Sequence, residues 1–235
     1  MVFPNRRVAG RLLAEQVARL PHWSDGRAVR AVIGVSEGGV PVAHEVARHL
    51  RVPLDVTLVR RISAPGNPEL TIGAVGENGM LVCADTFLRR FASEGPLLPE
   101  LAREAGDWLA RRARLLRGGH PPVDVKGCEV VLVEDGVVTG TTARAAVGVL
   151  RRRGAKDVVL AVPVAPPQVL HQLRPLVTEI ACTEIRDISD TDACYRDHRP
   201  TPDSEISRLL AASRAVAVGQ HTPNDSHSPV QGRSA

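Results

Sequence analysis

Aromatic side chains are scarce in this sequence: Phe, Trp and Tyr make up 3% of its 235 residues. Aliphatic side chains must therefore build the core. A nucleic-acid surface of stacking rings set among basic residues has little to be made from, and nucleic acid is not an expected partner. Lysine is almost missing, with Lys126 and Lys156 the only two, so arginine carries nearly all the positive charge. No function follows from that skew. The four cysteines, Cys83, Cys128, Cys182 and Cys194, form no CxxC pair, which argues against a zinc or redox site. Cys128 and Cys182 lie in or beside apolar runs and read as small core residues. No apolar h-region follows Arg6 and Arg7, and no stretch is long enough to span a bilayer. A reduced, cytoplasmic setting with no membrane partner is the expectation. A P-loop is absent because no lysine follows the glycines, and the GxGxxG dinucleotide order is missing too.

The rest of the composition is ordinary for a soluble domain, at 43% hydrophobic and 24% charged residues. The net charge of +4 fits an anionic small-molecule ligand.

What the chain has is alternation. Residues 8–20 carry Leu12, Leu13, Val17 and Leu20 at helical spacing, and Pro21 stops them. Ala31, Val32, Ile33, Gly34 and Val35 form a short strand that ends in Ser36, Glu37, Gly38 and Gly39. Helical spacing returns through Val42, Val46 and Leu50, with His44 and His49 expected at the surface. Residues 54–62 read as a second strand. Residues 63–68, Ser-Ala-Pro-Gly-Asn-Pro, are dense in breakers and predict a loop. Residues 72–75 and 80–83 predict a hairpin turning at Glu77, Asn78 and Gly79. Residues 97–116 predict a long amphipathic helix with Leu101, Ala105, Trp108 and Leu115 on one stripe. A nearly continuous apolar strand over 129–133 follows, then a helix over 143–152, a strand over 158–164, a helix from Pro166 to Leu173 and a strand over 177–182. This β-α-β-α-β order predicts an α/β fold: an open, mostly parallel sheet flanked by helices. One domain over residues 1–218 is expected. Residues 219–235 are polar and rich in Pro, Ser and Gly, and read as a disordered tail.

The chemistry is concentrated in residues 130–142. Val130, Val131, Leu132 and Val133 form a buried strand, and Glu134 and Asp135 stand at its C-terminal end, where open α/β sheets bind ligands. Gly136, Val137, Val138, Thr139, Gly140, Thr141 and Thr142 then lead straight into a helix. Successive backbone N–H groups and a helix N-terminus make an anion site, and the threonine hydroxyls add donors. Glycines at 136 and 140 allow close approach of the backbone to an oxyanion. The adjacent carboxylates can accept from a vicinal diol. A sugar phosphate satisfies both ends.

The segment from Glu134 to Thr142 resembles the phosphoribosyl pyrophosphate (PRPP) signature of type I phosphoribosyltransferases. Residues 60–69 (Arg-Arg-Ile-Ser-Ala-Pro-Gly-Asn-Pro-Glu), residues 73–76 and the opening from Asn5 to Ala14 resemble an uncharacterised bacterial subgroup of that family. The resemblance implies the type I fold, with a small hood from about 183–205 plus the N-terminal segment. It implies a PRPP-dependent pentosyltransferase, a glycosyltransferase that moves ribose 5-phosphate between PRPP and a nitrogenous base and releases pyrophosphate. It implies Mg²⁺, bound indirectly by Glu134 and Asp135 through the ribose diol or water. By the same likeness Glu134 and Asp135 hold the diol, and Val138, Thr139, Gly140, Thr141 and Thr142 hold the 5-phosphate. Ser36, Glu37, Gly38 and Gly39 contact pyrophosphate, and Arg60 and Arg61 neutralise the leaving group, with Arg61 counted among the catalytic residues. A homodimer is common in the family.

Several alternatives stay open at this level. Arg60 and Arg61 also read as a solvated strand end. Tyr195, the only tyrosine, either stacks on a base or packs the hood. The subgroup has Pro-Arg where this chain has Ser36 and Glu37, which reverses the charge beside the expected pyrophosphate. Glu37 then points away, helps hold Mg²⁺, or weakens catalysis. A non-catalytic PRPP or nucleotide sensor is one other function. An RNA-binding regulator is another, and it would need a basic face such as Arg111, Arg112, Arg114 and Arg117 could form.

Overall fold

The structure, a computed structural model, describes residues 2–20, 29–64, 67–77, 79–83 and 97–219. The elements in chain order are α1 (Arg6–Ala18), β1 (Val29–Val35), α2 (Ser36–Leu50), β2 (Leu54–Thr57), β3 (Val59–Ala64), β4 (Asn67–Gly76) and β5 (Leu81–Cys83). They continue through α3 (Leu97–Leu116), β6 (Glu129–Val133), α4 (Thr141–Arg152), β7 (Asp157–Ala165), α5 (Pro167–Leu173), β8 (Glu179–Ile185) and α6 (Asp203–Gly219). Five strands form one parallel sheet in the order β2-β1-β6-β7-β8. Strands β3, β4 and β5 form a separate antiparallel sheet. The parallel sheet flanked by helices is the α/β fold that the alternation of strand and helix predicts.

Alternation along the strands sorts side chains to two faces. Val131 and Val133 of β6 pack with α1, α2, α3 and α6, through residues such as Leu13, Val46, Leu109 and Leu209. Val130 and Leu132 pack with α4 and α5, through Ala146, Leu150 and Leu173. Both layers are aliphatic, as the shortage of aromatics requires.

Several expectations are corrected. The strand expected over 54–62 is two strands in two sheets. Thr57 pairs in parallel with Val35, whereas Val59 pairs antiparallel with Gly76. A run of strand-forming residues does not reveal a change of partner. The loop expected over 63–68 shrinks as well: β3 runs through Ala64 and β4 starts at Asn67, leaving Pro65 and Gly66 outside the described residues. Among the described residues β5 pairs with Gly73, Ala74 and Val75 alone, so the Pro68 end of β4 has β3 as its one described neighbour, a place where proline is tolerated. In α3 the buried stripe is Ala102, Leu109, Ala113 and Leu116, while Trp108 and Leu115 are exposed. Among the cysteines whose side chains are described, Cys194 is buried, and Cys128 and Cys182 are only half-buried. His49 is exposed, but His44 is half-buried with a buried Nδ1 that has no partner. Helix α6 was not expected at all. It runs to Gly219, and residues 220–235, where the tail was expected, lie outside the described residues.

Beyond β8 the chain folds back on its own start. Phe3 N–H donates to the Cys194 carbonyl at 2.8 Å, and Arg196 N–H donates to the Phe3 carbonyl at 2.9 Å. The N-terminal segment and residues 194–197 thus form one small unit beside the sheet. Among the described residues no helix is long and apolar enough to cross a membrane.

Candidate active site

The order of strands marks the site. From β1 the chain crosses through α2 to β2 on one side, and from β6 it crosses through α4 to β7 on the other. β1 and β6 are neighbours, so a crevice opens between their C-terminal ends, the place where open parallel sheets bind ligands. Residues 36–39, expected as a loop, are instead the first turn of α2 directly after β1, and the 134–140 loop follows β6. Sequence positions about a hundred residues apart therefore face one crevice.

The two segments meet at Gly38. A Cβ there would lie 2.3 Å from Asp135 Oδ2, so no side chain fits unless the carboxylate moves. Ser36 opens α2 with a positive φ of 52°, a left-handed conformation that costs about 1–2 kcal/mol for a residue with a Cβ. Its hydroxyl offsets that strain: Oγ donates to the Val59 carbonyl at 3.1 Å and accepts from Val59 N–H at 3.3 Å. These bonds tie that turn to the start of β3. On the other side, Gly140 takes φ 77° to start α4. No side chain caps the first turn of α4, and no acid stands in it, so its free N–H groups can take an anion. Thr139 is exposed, and its Oγ1 lies 3.2 Å from Thr141 Oγ1. Val138, Thr141 and Thr142 are half-buried around the same turn.

The two acids differ. Glu134 is buried, and its Oε2 has no hydrogen-bond partner. Burial and the neighbouring Asp135 push its carboxyl up to about 8, against the opposing pull of Arg61. Asp135 is raised by burial too, but Arg6 works against that, with Nε 2.8 Å from Oδ2. Arg6 also donates to the Arg199 carbonyl at 3.1 Å and reaches Asp192 at 3.3 Å. Its guanidinium lies 5.2 Å from the Tyr195 ring centre. The Tyr195 hydroxyl donates to the Asp135 carbonyl. Tyr195 is otherwise buried against Phe3, with ring centres 5.8 Å apart, so it packs the N-terminal unit.

The basic pair splits. Arg60 and Arg61 are consecutive on β3 and point to opposite faces. Arg61 is exposed and acts on the Glu134 carboxyl, whereas the Arg60 guanidinium lies 5.8 Å from the Trp108 ring centre on α3. Glu37 is not left bare: its Oε1 forms an ion pair with Arg112 Nη2 at 2.8 Å. The arginines of α3 do not form a free basic face. Arg117 is buried, held by Asp55 at 2.7 Å and Glu77 at 3.3 Å, and Arg112 bridges Glu37 and Asp203. Only Arg111 and Arg114 of the four are exposed. Sequence reading missed Arg6 and Arg112 as neighbours of the crevice, since nothing local marks a contact across 129 or 75 residues of chain.

The comparisons with known proteins agree with this architecture. The chain is 38% identical over 210 residues to two Mycobacterium tuberculosis proteins provisionally named as phosphoribosyl transferases. The match covers 89% of this chain and 46% of theirs, so the chain spans about half the length of the curated relatives it matches. It is also similar to a crystal structure from Thermus thermophilus, with 40% identity and a TM-score of 0.73, covering 90% of this chain and 99% of that one. The family model described as the phosphoribosyl transferase domain matches residues 6–194, and the chain belongs to that family.

Proposed function

We propose that the protein transfers ribose 5-phosphate between PRPP and a nitrogenous base, at the crevice between β1 and β6. The observation that carries this reading is the adjacency there of an acid pair, the uncapped start of α4 and the glycine loop of α2. Amide hydrogens and hydroxyls from Val138 to Thr142 would receive the 5-phosphate. Glu134 and Asp135 would accept from the ribose hydroxyls and stabilise positive charge as the C1–oxygen bond breaks. Pyrophosphate leaves with that bond's electron pair, the base nitrogen bonds to C1, and the nitrogen's proton passes to solvent. Arg61 stands on the same side as Glu134 and would meet the leaving group; Arg60, tied to Trp108, would act from further back.

The residues present fit a Mg²⁺ ion. Glu134 Oε2 is a buried carboxyl oxygen with no partner, next to a second carboxyl, and once its proton is displaced hard oxygen donors of this kind suit magnesium. No cluster of three or more metal-ligating side chains occurs among the described residues. The ion would therefore be held by the pair together with substrate oxygens and water. When bound it would neutralise charge on the departing pyrophosphate.

Titration calorimetry with PRPP and Mg²⁺ tests the reading. Wild-type protein should bind, and Asp135→Asn should bind at least about tenfold more weakly while unfolding at a similar temperature. Unaltered heat in that variant would contradict the diol assignment. A thermal-shift screen of nucleobases, each with and without PRPP, identifies the acceptor as the base that stabilises only when PRPP is present.

A further inference from the structure

We propose that Arg112 of α3 is a positioning residue for the first turn of α2: it offsets the Glu37 charge and so lets residues 36–39 accept an anion. The inference rests on the reading of residues 36–39 as the pyrophosphate loop. Glu37 sits in the first turn of α2, where a carboxylate favours the helix but repels any anion that approaches the same N–H groups. Left alone, it would work against the phosphate chemistry of the crevice. It is not alone. Arg112 Nη2 lies 2.8 Å from Glu37 Oε1 and 2.9 Å from Asp203 Oδ1, which fixes the guanidinium between the loop and the start of α6. The same guanidinium lies 5.4 Å from the centre of the Trp108 ring, and Arg60 lies 5.8 Å from it. Trp108 is partly exposed on α3, where a ring this large is normally turned inward. Its exposure is accounted for as a platform that holds two cations beside the loop.

The arrangement has a chemical logic. Two guanidiniums repel each other, and the Trp108 ring attracts both. Glu37 and Asp203 supply the compensating charge, so Arg112 keeps its position whether or not a ligand is present. The basic residue that the loop lacks is thereby supplied from another helix. Arg112 acts on the anion through Glu37, without touching it.

The test is a double-mutant cycle on the full chain, reading PRPP affinity in the presence of Mg²⁺ by calorimetry. Arg112→Gln leaves Glu37 uncompensated and should weaken PRPP about fivefold at low salt, given the partial exposure of both side chains. At about 1 M salt, where the Debye length falls to about 3 Å, the deficit should largely vanish. The decisive arm is Glu37→Gln in the Arg112→Gln background, which removes the repelling charge and should restore wild-type affinity. A purely structural role for Arg112 gives no such rescue, and a double variant that stays weak overturns the proposal. So does an Arg112→Gln protein that binds as wild type does. Should Arg112→Gln fail to fold, Glu37→Gln alone decides: it should bind PRPP as tightly as wild type or more tightly, and weaker binding refutes the idea. Wild-type protein that takes up no PRPP fails the pyrophosphate-loop reading itself, an outcome separate from any of these.

Discussion

Glu134→Gln should make the folded protein more stable at alkaline pH and leave it little changed in acid. The Glu134 carboxyl sits near 8 in the folded chain against an ordinary 4.5, because burial and Asp135 both disfavour its charge. Between those values the folded state keeps a proton that the unfolded chain has lost. Stability therefore falls as pH rises through the window, and the loss is complete above about 8. Each pH unit is worth about 1.4 kcal/mol, so the window amounts to about 5 kcal/mol at most. Relaxation around the charge and entry of water bring the expected figure nearer to about 2–3 kcal/mol. Glutamine cannot ionise and escapes this penalty. Its amide meets the same partnerless environment at every pH, so that effect drops out when two pH values are compared. The assay is urea unfolding of both proteins, followed by circular dichroism at about pH 5 and about pH 9. The variant's advantage should grow by about 2 kcal/mol or more between them. Arg61→Gln provides an independent check: without its pull the carboxyl rises further, and the wild-type loss should extend to higher pH. An advantage for Glu134→Gln that is the same at both pH values would refute the placement of a buried, partnerless acid at this position.

Other perturbations reach different parts of the molecule. Gly38→Ala would put a methyl group 2.3 Å from Asp135 Oδ2, and PRPP binding by calorimetry should weaken on the order of tenfold or more. Arg117→Met strips the charge from a buried cluster with Asp55 and Glu77, and urea unfolding should show a loss of about 3 kcal/mol or more. A loss below about 1 kcal/mol would mean that the remaining Arg153 is enough to hold the acids. Leu132→Ala opens a void under α4 in a fully buried strand and should cost about 2–5 kcal/mol in the same assay.

The second half of the fold was legible in the sequence because its signals are local. Residues 129–133 form a strand buried on both faces, which the apolar run from Val130 to Val133 announces. The helices and strands after it come with their own stops: Gly154 turns the chain at φ 85° beyond α4, and Pro167 opens α5. The first half was harder because its information is about partners. Leu54 to Ile62 reads as one strand, and only pairing with Val35 or with Gly76 tells its two ends apart. Trp108 and Leu115 fit the helical stripe as well as Leu109 and Leu116 do; a rotation of the helix decides between them, and the surfaces it meets set that rotation. Helix α6 did carry a signal, with Pro202 before it, Asp203 and Glu205 in its first turn, and Ile206, Leu209 and Leu210 at helical spacing. That signal was masked by the polar stretch that follows.

The candidate site divides in the same way, and the division bears on how charge in such motifs should be read. The acid pair and the threonine-glycine turn lie within nine consecutive residues, so one short segment displays them. Their electrostatics is not within that segment. Asp135 is tied to Arg6 and feels Asp192, Glu134 feels Arg61, and Glu37 is bonded to Arg112. A glutamate in the 36–39 loop looks, in the sequence, like a charge of the wrong sign for a phosphate site. Arg112 and Glu37 are both partly exposed, so the compensation is on the order of 1 kcal/mol, the same scale as the screened repulsion it offsets. An arginine delivered from α3, with Arg60 beside the same ring, thus changes the inference drawn from residues 36–39 alone. The sign of the field at such a loop belongs to the cluster that surrounds it. A departure from a family motif therefore argues for lost function only after the long-range partner of the substituted residue has been located.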